Sequence, residues 1–114
     1  MIVDDGKKAV ASYIAAEISH GGLGIDATDV SASNTALNVN TNFGSTGTDK
    51  AVVNTTSGKT FSTKYELPYT DGNSVSYYEF GLNDGTYLFN RQTFAAWAKS
   101  NSYQFDITVI TRVI

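Results

Sequence analysis

Val75-Ser76-Tyr77-Tyr78-Glu79-Phe80-Gly81-Leu82, the turn Asn83-Asp84-Gly85 and the return Thr86-Tyr87-Leu88-Phe89-Asn90-Arg91 decide the fold. Aromatic and β-branched residues packed this densely about an Asp-Gly turn predict a β-hairpin. Downstream, Tyr103, Phe105, Ile107, Val109 and Val113 occupy odd positions, broken only by Thr111, which is the period of two of a half-buried strand over residues 103–113. Hairpin and final strand together predict three strands sharing one apolar face, about the minimum for a stable sheet. Between them, Ala95-Ala96-Trp97-Ala98-Lys99 reads as a single helical turn or an irregular crossover, and Ser100-Asn101-Ser102 resets the chain.

Upstream of the hairpin, Phe61, Thr63, Tyr65 and Leu67 share one face of a strand predicted over residues 59–67. Pro68, the only proline, closes that strand, because it offers no further amide donor. Ala51-Val52-Val53-Asn54 predicts a weaker strand, joined to the next through Ser57-Gly58. Residues 4–20 predict the one helix. Val10, Ile14 and Ile18, with Ala11 and Tyr13 beside them, form a stripe suited to lie on a sheet, and Asp4 or Asp5 suits the positive helix end as an acceptor for free amides. Gly21-Gly22 is predicted to end this helix, with His20 complementing the dipole in its last turn.

Residues 21–58 are rich in Gly, Ser, Thr and Asn, with short apolar pieces at residues 23–25, 36–39 and 51–53. Residues 21–50 are therefore expected to be mobile or ordered only by a neighbour, since such pieces cover little of their own backbone. The fold class expected is mainly β (α+β): an antiparallel β-sandwich or sheet with one N-terminal amphipathic helix packed against it. At 114 residues it forms a single domain, residues 1–114.

Charged residues make up only 17% of the chain, so its surface is built from uncharged polar groups suited to touching other protein. A net charge of -3 and the lack of any basic cluster argue against nucleic-acid binding. Without cysteine there is neither disulfide nor thiol chemistry. No run approaches the roughly 20 apolar residues of a membrane span, and Met1-Ile2-Val3-Asp4-Asp5 does not read as a secretory signal. The expectation is a soluble protein synthesised in the cytoplasm and without a membrane partner.

No constellation for catalysis, cofactor binding or metal ligation is expected. His20 has no His or Cys partner, Asp26 and Asp29 lack calcium-loop spacing and suit turns, and Gly21-Gly22-Leu23-Gly24 follows a helix instead of opening one. Glu66 and Glu79 are the nearest approach to a two-carboxylate pair. Glu79 and Arg91 are the charges most worth weighing. With a two-residue turn Glu79 faces Asn90 and Arg91 faces Tyr78; with a three-residue loop their partners are Phe89 and Tyr77. Either register makes a Glu79–Arg91 pair diagonal at best, in a structural or intersubunit role. The set Tyr65, Tyr69, Tyr77, Tyr78, Tyr87 and Trp97 suits packing and protein contact, with sugar stacking as the other use.

The opening Met1-Ile2-Val3-Asp4-Asp5-Gly6-Lys7-Lys8 before the helix, the central Asn34-Thr35-Ala36-Leu37, Glu79-Phe80-Gly81-Leu82 and Gly85-Thr86-Tyr87-Leu88-Phe89-Asn90-Arg91-Gln92-Thr93-Phe94 form a longer pattern. It resembles small tailed-virus (phage or archaeal virus) structural proteins related to the N-terminal domain of phage tail-fibre or tail-collar proteins. In that family a Glu-x-Gly-Leu segment and a Leu-x-x-Arg-x-x-Phe segment form the central hairpin, matched here by Glu79, Gly81, Leu82, Leu88, Arg91 and Phe94. Two features depart from it: Gly24-Ile25-Asp26-Ala27-Thr28 replaces a Gly-Thr-Gly-rich loop, and residues 39–50 are unusually polar. Family proteins continue into a shaft, whereas this sequence stops at Ile114, which turns the expectation from receptor binding to a standalone adaptor, collar or decoration subunit.

The resemblance implies a non-enzymatic virion protein, a tail, baseplate or fibre-attachment adaptor acting by self-assembly and docking on other virion proteins. Its alternatives are a capsid decoration or turret protein and a carbohydrate-binding module. Tyr77, Glu79, Arg91, Ile110 and Ile114 are the interface candidates of a homo-oligomer. Ile110 and Ile114 stand out because they lie on the even face of the last strand, which a half-buried strand leaves polar.

Overall fold

A computed structural model describes residues 1–37, 44, 45 and 47–114. The chain runs α1 (Asp4–Glu17), β1 (His20–Gly24), β2 (Lys50–Ala51), β3 (Val53–Ser57), β4 (Thr60–Leu67), β5 (Val75–Asn83), β6 (Leu88–Lys99) and β7 (Phe105–Arg112). Two antiparallel sheets result, one ordered β2-β1-β5-β6 and the other β3-β4-β7, with α1 packed against β3 and β4. This is a mainly β, α+β sandwich with one N-terminal helix. The hairpin and the final strand therefore lie in different layers, not in one sheet as expected.

The expected alternation of β4 is complete: Phe61, Thr63, Tyr65 and Leu67 are all fully buried, while Lys64 and Glu66 face outwards and pair at 3.0 Å. Across the core, Leu23, Tyr77, Phe80 and Leu82 come from the four-stranded sheet, α1 adds Ala11 and Ala15, and Ile18 follows just beyond its end. The Tyr65 and Phe80 rings meet edge to face with centroids 5.1 Å apart, joining the two sheets. Burial holds the Tyr65 phenol far above the usual tyrosine range, and its hydroxyl donates to the Thr48 carbonyl at 2.5 Å. The β3–β4 connection is a two-residue turn beginning at Gly58, whose φ of +61° is a conformation that L side chains rarely adopt.

Several local expectations are overturned by tertiary packing. The helix stops at Glu17 because Ile18 is drawn into the core in extended backbone and Ser19 donates to the Asn83 carbonyl, so the chain enters the sheet at once. His20 and Gly21-Gly22 consequently belong to β1, not to a helix cap. Ala11, Ala15 and Ile18 form the buried stripe with Ile14 partly covered, whereas Val10 and Tyr13 face solvent. Asp4 and Asp5 occupy the first turn without a side-chain cap bond, and instead approach Lys59 and Lys8, each at 3.7 Å. Residues 95–99 are not helical: they complete β6, where Trp97 pairs with Tyr77 and Lys99 with Val75.

Gly21–Gly24, expected to lie in a mobile stretch, are buried in a strand interior to the four-stranded sheet. The glycines are needed there. A Cβ on Gly21 would lie 2.8 Å from the Tyr65 ring, and one on Gly24 only 2.7 Å from Glu79 Oε2. Residues 26–37 are tied to the outer face of the same sheet, as described next. Residues 44, 45 and 47–50 are anchored as well, since Ser45 donates to the Leu23 carbonyl at 2.8 Å, Thr48 is fully buried and Lys50 begins β2. Only residues 38–43 and 46, which include the end of the apolar piece at residues 36–39, lie outside the described residues.

Candidate functional site

Two places collect the residues singled out in the sequence: the outer face of the four-stranded sheet, and the open side of the sandwich where β6 and β7 run as edge strands.

On the outer face, alternation sets Gly22 and Gly24 of β1, Glu79 and Gly81 of β5, and Arg91 and Thr93 of β6 side by side, through the partners Gly24–Glu79, Gly22–Gly81, Glu79–Thr93 and Gly81–Arg91. The glycines leave a lane free of side chains, and Glu79 reaches along it. Arg91 Nε donates to Glu79 Oε1 at 2.9 Å, with both side chains almost wholly buried. The pair is diagonal, as the hairpin geometry predicts, but neither predicted register holds. The loop is wider because Asp84 Oδ1 accepts from the amides of Thr86 (2.8 Å) and Tyr87 (2.6 Å), and Asn83 Oδ1 accepts from Gly85 (2.9 Å).

The remaining valences of this pair hold residues 26–37 across the sheet. Glu79 Oε2 accepts from the Asp26 amide at 2.6 Å. Arg91 donates to the Asp26 carbonyl at 3.1 Å, to Asn34 Oδ1 at 3.3 Å and to the Asp29 carbonyl at 3.4 Å. Leu37 is buried and packs over Gly81. Asp26 also closes a turn, with Oδ1 accepting from the Thr28 amide and hydroxyl, and these bonds, with the nearby Arg91 charge, hold its carboxyl below the usual carboxylate range. Turn chemistry is thus what Asp26 performs.

The nearest two-carboxylate pair is not brought together. Glu79 lies beneath residues 26–37 on one sheet, and Glu66 is solvent-exposed on the other. His20 Nδ1 lies 2.9 Å from Ser19 Oγ, and among the described residues no group of three His, Cys, Asp or Glu side chains is placed to hold a metal ion. The tyrosines do not line one surface, since Tyr65 and Tyr77 are core residues.

On the open side, a groove of about 390 Å³ runs between the sheets, lined by Phe80, Phe94 and Trp97 on one side and by Ile107 and Val109 on the other. Trp97 stacks on Phe94 with centroids 3.8 Å apart and meets Phe105 edge to face. The inward residues of β7, Phe105, Ile107, Val109 and Thr111, are only half-buried: Phe105 meets the Tyr77 and Trp97 rings of the opposite sheet edge to face, and Ile107 and Val109 line the groove. Outwards, Asp106, Thr108, Ile110 and Arg112 are exposed, Ile110 at 72%. Ile114 beyond the strand is fully exposed.

Of the five interface candidates, then, Tyr77, Glu79 and Arg91 are corrected to interior positions: Tyr77 and Glu79 are 0% exposed and Arg91 7%, because the core and residues 26–37 cover them. Ile110 and Ile114 remain at the surface. The groove was missed in the sequence, because it depends on β7 joining β4 instead of the hairpin, whereas the last strand was expected to offer Ile110 and Ile114 to a partner, and among the described residues β7 does end its sheet.

Geometry and composition define a two-sheet sandwich whose β7 edge is partly apolar, and no helix among the described residues is long and apolar enough to cross a membrane. No family model, curated protein or solved structure matches the chain.

Proposed function

We propose that the chain is a non-enzymatic structural protein of a tailed virus, an adaptor of the tail, baseplate or fibre attachment that acts by docking and self-assembly. The observation that carries this reading is the location of the six residues on which the family resemblance rests. Glu79, Gly81 and Leu82 lie on β5, and Leu88, Arg91 and Phe94 on β6, so together they make up one hairpin. Within it the charged residues hold the chain's own residues 26–37, and Gly81 leaves room for Leu37. A hairpin so occupied supports a scaffold reading over a chemical one.

The test is quantitative mass spectrometry of purified virus particles from cells making this polypeptide. The reading expects the chain in particles at a few tens of copies or fewer. Hundreds of copies would move it to the capsid surface as a decoration or turret protein, and its absence from particles would overturn the virion reading.

A further inference from the structure

The edge of β7 that no described strand pairs is self-complementary, and we propose that it is a dimerisation surface on which a second copy of this chain adds its own β7 antiparallel. The inference deepens the assembly reading above by naming the surface, the partner and the register.

Backbone direction comes first. Val113 donates its amide to the Lys59 carbonyl, towards β4. Because hydrogen-bonding direction alternates along an antiparallel strand, the odd residues of β7 bond to β4 while Asp106, Thr108, Ile110 and Arg112 turn their N–H and C=O groups to the open edge. Unpaired strand edges of this kind are templates for another strand.

Side-chain complementarity then selects the register. Two copies related by a twofold axis at Val109 place Asp106 opposite the partner's Arg112, and Arg112 opposite the partner's Asp106. The same register sets Thr108 opposite the partner's Ile110, so every edge-facing residue meets another edge-facing residue and the ladder hydrogen bonds close. Moving the axis to Thr108 or to Ile110 loses both ion pairs, leaving Asp106 against an isoleucine. Within one copy Asp106 has no cationic partner directly across the ladder, since it stands opposite Glu66 on β4, and Arg112 stands opposite Thr60. An isologous contact would relieve that arrangement by pairing each charge with its opposite.

The groove supplies the apolar part. Adding a strand at the β7 edge extends each three-stranded sheet into a continuous sheet across the dimer and brings the partner's odd face, Phe105, Ile107 and Val109, towards the groove lined by Phe94 and Trp97. Half-buried residues on both copies are thereby covered, which is the missing closure of the open side.

The experiment is sedimentation equilibrium of the purified chain with three samples: Asp106→Arg, Arg112→Asp and an equimolar mixture of the two. The native chain is expected to self-associate to a dimer. Each variant alone sets like charges against each other at both pairs and weakens association by roughly 10-fold or more. The mixture restores the dimer, because every introduced charge then meets its opposite. Circular dichroism verifies that each variant folds; should one not, Thr108→Pro removes an edge-facing amide without touching the β4 ladder and is expected to give a monomer. A native chain that stays monomeric at high concentration, or a dimer indifferent to these changes, overturns the inference. Since the readout is self-association of the isolated chain, its failure leaves the presence of the chain in virus particles as a separate result.

Discussion

Glu79 and Arg91 meet diagonally across β5 and β6, with Arg91 Nε 2.9 Å from Glu79 Oε1, and between them they tether the Asp26 amide, the carbonyls of Asp26 and Asp29, and Asn34. Two charges withdrawn from water are stable only with their hydrogen-bonding capacity used, and here residues 26–37 supply the additional partners. The ion pair and that segment depend on each other. Removing one partner strands the other: Arg91→Ala is expected to cost about 3–5 kcal/mol. Glu79→Gln, which keeps an acceptor, is expected to cost about 1–3 kcal/mol. Urea denaturation measures both, and limited proteolysis should cut within residues 26–37 sooner in Arg91→Ala than in the native chain.

Gly24 lies under the Glu79 side chain, where a Cβ would sit 2.8 Å from Glu79 Cγ and Cδ. Gly24→Ala should therefore cost about 1–3 kcal/mol by displacing the carboxylate. In a Glu79→Ala background the same change should cost much less. A double-mutant cycle by chemical denaturation reads the difference, and additive costs would count against the contact.

Three exposed or half-exposed aspartates make the fold sensitive to acid. Asp84 is held low by the Tyr87 and Thr86 amides, Asp71 by its bond to Lys50, and Asp26 by Thr28. A carboxyl whose folded pKa lies below its unfolded value contributes stability above the unfolded pKa and loses it as pH falls through the folded one. Melting temperature should therefore be flat near neutrality and fall below about pH 4. Asp84→Asn retains an acceptor for the loop amides but not its charge, so it should lower stability at pH 7 and make the acid decline shallower.

Ile110 is exposed on the outward face of β7, and the chain's own core does not use it. Ile110→Lys should alter unfolding stability by no more than about 0.5 kcal/mol. Light scattering should nevertheless shift towards monomer. A large loss of stability would mean that the isoleucine packs within its own chain.

How much of this was legible in the sequence varies with how local each cause is. The alternation Phe61, Thr63, Tyr65, Leu67 and the Asp84-Gly85 turn carry their own signals: β4 and β5 lie where those signals set them, while β6 begins two residues later than expected and runs on to Lys99. β1 does not: His20-Gly21-Gly22-Leu23-Gly24 has the composition of a turn, and it is a strand because Tyr65, Phe80 and Glu79 occupy the space its side chains would fill. Likewise the alanines of residues 95–99 favour a helix until Trp97 stacks on Phe94 and draws them into β6. The diagonal Glu79–Arg91 contact was legible from the hairpin, but its register was not, because side-chain bonds from Asn83 and Asp84 set the loop length. The open groove depends on which sheet receives β7, a long-range choice that no local pattern encodes.

Assembly through the final strand is tested most directly by amide hydrogen exchange at single-residue resolution across a range of protein concentration. In the monomer the odd amides of β7 are bonded to β4 and should exchange slowly, while those of Thr108, Ile110 and Arg112 face the open edge and should exchange fast. The account predicts that these three become protected as concentration rises, with the odd amides unchanged. Fast exchange at Thr108 and Ile110 at every concentration would contradict it.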